Sequence, residues 1–333
     1  MTDQQKVVAD LIKKFPKSGN KTLSRIAYKN HPLLFSSENA ADLAVRRMKG
    51  ASGEANRKKR NDTVSLRGKS PKTIDAWADF PDGIVSAPWE PIQVDGPVRC
   101  LVLSDIHIPY HDKAALKIAI KYGKENGANV ILLNGDIVDC YSISRYEKDP
   151  EQRNFANELQ QTRHFLSLLR KEFPKARIIF KLGNHEERYE KFLFLKAPEF
   201  LGISDFRLQQ LLHFDEFKIE LVKDQNVIRL GKLNVLHGHE YRFGVNNPVN
   251  AARGYYNRAK AHVLAGHLHV TSNHKEKNLE GHVVSTWSTG ALCEMHPAYH
   301  KFPNWNLGFA FVVVGKDGAF RVSNLTIIDG ETW

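Results

Sequence analysis

The sequence predicts an α/β protein, a layered sandwich of two mixed β-sheets, preceded by a small three-helix domain. Three observations predict it. From Val98 onward, short apolar runs alternate with helical patterns, and the chain closes on a strand-rich stretch. The first fifty residues instead carry their apolar side chains at helical spacing. The charge follows the same division: residues 1–72 hold 17 Lys/Arg against 6 Asp/Glu, and that difference is the whole net charge of +11, leaving 31 of each sign in the remainder. A neutral body with a basic N-terminal arm points to an anionic partner, nucleic acid before membrane, since no large apolar face accompanies the charge.

At the N-terminus, "DQQKVVADLIKKF" spaces Val7, Val8, Leu11, Ile12 and Phe15 as one helix face, and "PKSGN" breaks it. "KTLSRIAYKN" supplies Leu23, Ile26 and Ala27 for a second helix. Ser36 or Ser37 caps a third, "ENAADLAVRRMKG", which stops at Gly50. Three short helices, the last carrying Arg46, Arg47 and Lys49, resemble a helix-turn-helix module, and those three cations are its candidate nucleic-acid contacts. Small three-helix units also serve as protein-docking pieces, with the basic residues simply a solvated face.

Residues 51–97 read as a linker. "NRKKRND" is a basic run, and the stretch from Ser70 to Pro97 is dense in proline and glycine without periodicity. Trp77 and Trp89 would be awkward in free solvent, so this segment is expected to lie against the larger domain, residues 98–333.

Within that domain "VRCLVLSDIH" and "NVILLNGD" are β-rich, with "DKAALKIAIKYGKEN" between them as a helix. A long helical pattern, "EQRNFANELQQTRHFLSLLRKEF", leads into the strand "RIIFKLGNH". Then come "KLNVLHGH", the helix "NPVNAARGYYNRAK" and "HVLAGHLH". A hairpin turn is expected at Lys316–Asp317–Gly318.

Five predicted strands end in metal-ligand chemistry. "SDIH" offers Asp105 and His107, "NGDIVD" offers Asp136 and Asp139, and "LGNH" offers Asn184 and His185. "LHGH" offers His237 or His239, and "GHLH" offers His267 and His269. Sites in α/β sheets form outside the carboxyl ends of strands, where the loops leave the core together. Aspartate, neutral histidine and an asparagine carbonyl suit two divalent ions, Mn²⁺ first, with Fe or Zn²⁺ as alternatives. A carboxylate can bridge both. No thiolate stands at these strand ends, which argues against a structural Cys-zinc site there. Cys100, Cys140 and Cys293 read as buried small hydrophobes of a reducing compartment.

In this order, D-x-H, G-D-x-x-D, G-N-H-E, H-G and G-H-x-H, the motifs of residues 104–269 resemble those of the calcineurin-like metallophosphoesterase family. The one variation is Glu186, where many members have aspartate. The resemblance implies that Asp105, His107 and His269 bind one ion and that Asp136 bridges to a second. Asn184, His237 and His267 would complete that second site. It implies that His185 is the catalytic histidine, assisting the leaving group, and that Asp139 orients it. Arg188, whose fork suits phosphate, and His111, on the loop after the first strand end, are candidate substrate contacts. For Arg188 a salt bridge to a neighbouring glutamate or to Asp139 is the competing reading. Glu186 and Glu187 read as helix-start acids favouring the dipole.

The expected function is therefore hydrolysis of a phosphate ester, with a phosphodiester of nucleic acid as the leading substrate and the basic module bringing it near. The alternative is a phosphomonoesterase on a phosphoprotein or nucleotide, with the N-terminal helices as a docking domain. A lipid-precursor hydrolase would need an apolar flap, for which "KFLFLKAPEFLGI" is the candidate. A binding regulator with a dead catalytic domain is disfavoured because Asp136 and His185 are both present. No run approaches the ~18 apolar residues of a membrane span, and the polar start lacks a signal-peptide core. A cytoplasmic protein is expected.

Overall fold

The computed structural model describes residues 1–50, 80–83, 90–144, 154–223, 225–241, 249–297 and 302–333. The chain forms two compact units, Met1–Val85 and Ser86–Trp333. Trp77, Trp89 and the basic run at 57–60 lie outside the described residues.

The first unit holds α1 (Asp3–Lys14), α2 (Asn20–Asn30) and α3 (Glu38–Met48). Thr2 and Gln5 form a capping box on α1, and Ser37 rather than Ser36 caps α3, its Oγ accepting from the Ala40 N–H. Val8, Leu23, Ala27, Phe35, Ala41 and Val45 make its core. Arg46, Arg47 and Lys49 are exposed. Arg46 pairs with Asp42 at 2.7 Å, and Lys49 Nζ donates to the Ser18 carbonyl at 2.7 Å.

The second unit begins earlier than the sequence pattern suggested. Ile92–Val94, within the expected linker, form strand β1, which pairs in parallel with β6 (Ile228–Leu230). Three residues with one deeply buried side chain, Val94, are too short a run to read as a strand from sequence. The other strands are β2 (Val98–Leu103), β3 (Val130–Asn134), β4 (Arg177–Lys181), β5 (Ile219–Val222), β7 (Leu233–Leu236), β8 (Val263–Ala265), β9 (Ser272–Lys277), β10 (Val283–Ser288), β11 (Gly308–Val314), β12 (Phe320–Ile328) and β13 (Glu331–Thr332). Helices α4 (Lys113–Glu125), α5 (Phe155–Glu172), α6 (Glu186–Lys196) and α7 (Ala251–Ala259) complete it, with short helical turns between Pro198 and Phe217.

One sheet has the order β13-β12-β11-β2-β3-β4-β5 and the other β1-β6-β7-β8-β10-β9; both are mixed. β2 shows how alternation builds the layers. Cys100 and Val102 point between the sheets, packing with Ile228, Val235 and Leu264, while Leu101 and Leu103 join a second core with Ala115, Leu116, Leu166 and Leu169 of α4 and α5. On the far face, Tyr255 of α7 packs with Leu236, Val263 and Ala265. The order is helix, sheet, sheet, helix. No described helix is long and apolar enough to cross a membrane.

The sheets meet at their carboxyl ends. Asn134 Nδ2, ending β3, donates to the Leu236 carbonyl of β7 at 2.7 Å, and the Gly266 N–H after β8 donates to the His237 carbonyl at 2.8 Å. These bonds bring the strand-end loops of both sheets to one place.

Candidate active site

Each strand end turns sharply. Asp105, His107, Asp136, His267 and His269 all have φ between 51° and 69°, the left-handed region that L residues seldom adopt. Such strain persists only where surrounding contacts over-determine it, and here it gathers at one spot. Two glycines permit the crowding. A Cβ on Gly183 would strike Asp136, and one on Gly266 would strike Ser104 and Asp105.

The side chains converge in two groups. In the first, His107 Nε2 and His269 Nε2 stand 3.2 Å apart, with Asp105 Oδ1 3.2 Å from His269 and Asp136 Oδ2 3.9 Å from His107. In the second, His237 Nε2 lies 3.2 Å from Asp136 Oδ2 and 3.3 Å from Asn184 Oδ1, and His267 joins Asp136 and His237 within 4.8 Å. Asp136 belongs to both.

The histidine tautomers are set from behind. His237 Nδ1 reaches the Asn134 carbonyl at 2.7 Å and His107 Nδ1 reaches Asp139 Oδ1 at 2.8 Å. A carbonyl can only accept, so His237 donates from Nδ1 and turns the lone pair of Nε2 toward Asp136 and Asn184, which are acceptors too. Acceptors facing acceptors in a buried cavity need a cation or a proton between them. This donor set fits two divalent ions.

The electrostatics agree. Burial would raise the Asp105 carboxyl, but His269 and His237 hold it below the ordinary carboxylate range. Asp136 is likewise pulled well down, against burial, by His237 and His185. Burial would lower His237, yet Asp136 and Asp105 raise it to about 10. His267 falls to about 4, through burial and then the nearby His237.

His185 stands at the rim. Its Nδ1 reaches the Asp139 carbonyl at 2.7 Å and the Asp139 carboxylate at 3.1 Å. Asp139 thus touches both His185 and His107. Arg188 meets Asp139 through its backbone carbonyl rather than through its carboxylate. Its Nη2 lies 2.8 Å from His185 Nε2, and its Nη1 donates to the Asp139 carbonyl at 3.3 Å. His239 points away from the cluster to Glu187 Oε1 at 2.9 Å. His111 bridges to Cys293 through its backbone, and its half-buried ring leaves Nδ1 without a hydrogen-bond partner among the described residues.

Two glutamates do work that sequence reasoning missed. Glu186, entirely buried, is more than a dipole-favouring acid. Its Oε1 accepts from the N–H groups of Ile137 (2.6 Å) and Val138 (2.9 Å), and its Oε2 from Asp136 (3.0 Å) and Gly183 (2.8 Å). It clamps the loop carrying Asp136 to the one carrying Asn184. Glu240 does the same for the His237 turn, accepting from the His237 and Gly238 N–H groups at 3.1 and 2.6 Å, and is held by the buried Lys181 at 2.9 Å. Burial would raise the Glu240 carboxyl, but Lys181 brings it to about 2. The one available signal was position: Glu186 stands inside G-N-H-E and Glu240 directly follows "LHGH".

The family model described as calcineurin-like phosphoesterase matches residues 98–288. The chain belongs to the calcineurin-like phosphoesterase family. This phosphoesterase is 31% identical to the Gene 54 protein of Mycobacterium phage L5 over 263 residues, 71% of this chain and 98% of that protein. It is 28% identical to the Gene 54 protein of Mycobacterium phage D29, with the same coverage. Among solved structures, Yfce, a phosphoesterase from E. coli, aligns at 15% identity and TM-score 0.33 over 68% of this chain and 98% of that one. A dimetal phosphatase from Danio rerio aligns at 11% identity and TM-score 0.33, over 66% of this chain and 93% of that one. The phosphoesterase is thus a metal-dependent hydrolase of phosphate esters, with a two-ion divalent site in its His/Asp cluster.

Proposed function

We propose that this phosphoesterase is a phosphodiesterase of nucleic acid, working with two divalent ions, Mn²⁺ first, and that its basic N-terminal module brings the polyanion to the site. The observation that carries the chemistry is the meeting of acceptor atoms around Asp136, with His237 Nε2 3.2 Å away. Asp105, His107 and His269 would hold one ion and Asn184, His237 and His267 the other, with Asp136 facing both groups. Ions held there would supply charge neutralisation for the phosphate and a more acidic water. With Arg188 turned to the substrate and Nε2 protonated from solvent, His185 would pass that proton to the departing oxygen, its ring held through Nδ1 by Asp139. Arg188, already beside that nitrogen, transfers its hydrogen bonds to a phosphate oxygen.

The substrate assignment rests on charge placement, with the entire excess of +11 in residues 1–72. One observation favours a second reading, a phosphomonoesterase docked by its N-terminal helices onto a protein. Arg46 and Lys49 already have partners within their own unit. The test is cleavage of end-labelled single- and double-stranded DNA and RNA by Mn²⁺-loaded protein, with His185→Ala and metal-stripped protein alongside. Cleavage dependent on metal and His185 is expected. Intact strands beside rapid hydrolysis of a phosphomonoester would overturn the nucleic-acid reading.

A further inference from the structure

The second unit carries an apolar face that the active site does not use. At the end of α6 and in the turns after it, Phe192, Phe194, Leu195, Phe200, Leu201 and Ile203 are between 38 and 72% exposed. Phe206, 36% exposed, packs its ring 4.5 Å from that of Phe200. The segment is anchored rather than frayed: Tyr189 donates its hydroxyl to the Phe206 carbonyl at 2.6 Å, and Leu193 and Leu208 are buried in the core on either side. The face is therefore preformed.

Its size decides what it is for. At ~200 Å² per large side chain, the exposed fractions of these seven residues, all within fifteen positions of one another, sum to ~700 Å², against the ~300–600 Å² of the largest contiguous patch on a typical monomer. That is close to the ~800 Å² per partner of a standard protein interface. Its charges decide the partner. The exposed acids Glu190, Glu199 and Asp205 stand among the exposed bases Lys196 and Arg207, and Lys191 pairs with Glu187 at 2.7 Å. Such a rim offers no attraction to a polyanion or an anionic bilayer, both of which select basic rims. A mixed rim around an apolar centre suits a two-fold contact, where each acid can meet a base of the same surface on the other copy.

We propose that this face joins two copies of the chain in a symmetric dimer centred on Phe194 and Leu195. The face lies on the helix whose first turn carries Glu186 and Arg188, so the dimer sets the two active sites on either side of one interface.

Sedimentation velocity on the full chain, from micromolar concentration to the solubility limit, tests this together with Phe194→Glu and Leu195→Glu. Both side chains are more than two-thirds exposed, so the far-ultraviolet circular dichroism of the variants should match wild type, which shows that they fold. Phe194→Ala provides a milder variant should glutamate disturb α6. A wild-type dimer that becomes monomeric in the variants is the expected result. A wild-type monomer throughout the range, or a dimer indifferent to all three substitutions, overturns the proposal. So does a monomer that co-floats with phosphatidylcholine vesicles in a Phe194-dependent way, which would assign the face to lipid.

Discussion

Replacing Glu186 with glutamine removes one of two carboxylate oxygens and puts an N–H₂ group in its place. Whichever oxygen is lost, two backbone donors then face a donor. They are Ile137 and Val138 if it is Oε1, and Asp136 and Gly183 if it is Oε2. Each buried donor left unsatisfied costs ~1–3 kcal/mol, so the gross loss is ~2–6 kcal/mol. Part is returned, because burial and then the neighbouring Asp136 raise the Glu186 carboxyl, and a neutral amide relieves both effects. A net destabilisation of ~2–4 kcal/mol remains. For a unit of this size it lowers Tm by roughly 5–15 °C. Asp136 sits inside the clamped loop, so Mn²⁺ affinity should also fall by ~10- to 100-fold, the usual cost of losing a group that orients a ligand. Differential scanning calorimetry and isothermal titration with Mn²⁺ read the two effects separately. A Glu186→Gln protein with wild-type Tm and wild-type Mn²⁺ affinity would refute the clamp.

Other expectations follow from the same geometry. Because Asp136 and Asp105 overcome burial to raise His237 to about 10, that ring holds a proton at neutral pH until a cation replaces it. Metal binding should then release a proton, with affinity rising up to about tenfold per pH unit below 10. Calorimetry in two buffers of different ionisation enthalpy checks this, and identical heats would contradict it. Lys181→Met leaves the buried Glu240 without its cation and should cost ~3–5 kcal/mol, measured by urea unfolding; a loss under ~1 kcal/mol would mean that Glu240 is held by its backbone donors alone. Arg46→Ala with Arg47→Ala should reduce the slope of log binding constant against log salt by up to ~2 if both touch phosphate. An unchanged slope would remove this helix from the nucleic-acid contact.

The five strand ends were legible because each is a short local signal, an apolar run halting at aspartate, asparagine or histidine. The turn between β11 and β12 was legible for the same reason. What escaped depends on distance along the chain. Glu186 binds the backbone of residues about fifty positions earlier, and Lys181 reaches Glu240 across a different sheet. No local pattern records such pairs. The left-handed backbone of Asp105 and Asp136 was also hidden, since aspartate reaches that region more readily than most residues but nothing local marks where it does. β1 escaped because its partner β6 lies far away and the run itself is three residues long. The resemblance chose His237 over His239; what it did not carry is the Asn134 carbonyl that Nδ1 of the first ring reaches and the Glu187 carboxylate that the second ring meets.

The acceptor cluster around Asp136 is a site for two divalent ions. Equilibrium dialysis against Mn²⁺, with bound metal counted per chain for wild type and Asp136→Asn, tests it most directly. Two ions per wild-type chain are expected, with both sites weakened by the substitution because Asp136 faces each group. A wild-type chain that binds one ion or none, or an Asp136→Asn chain that binds two with unchanged affinity, would contradict the account.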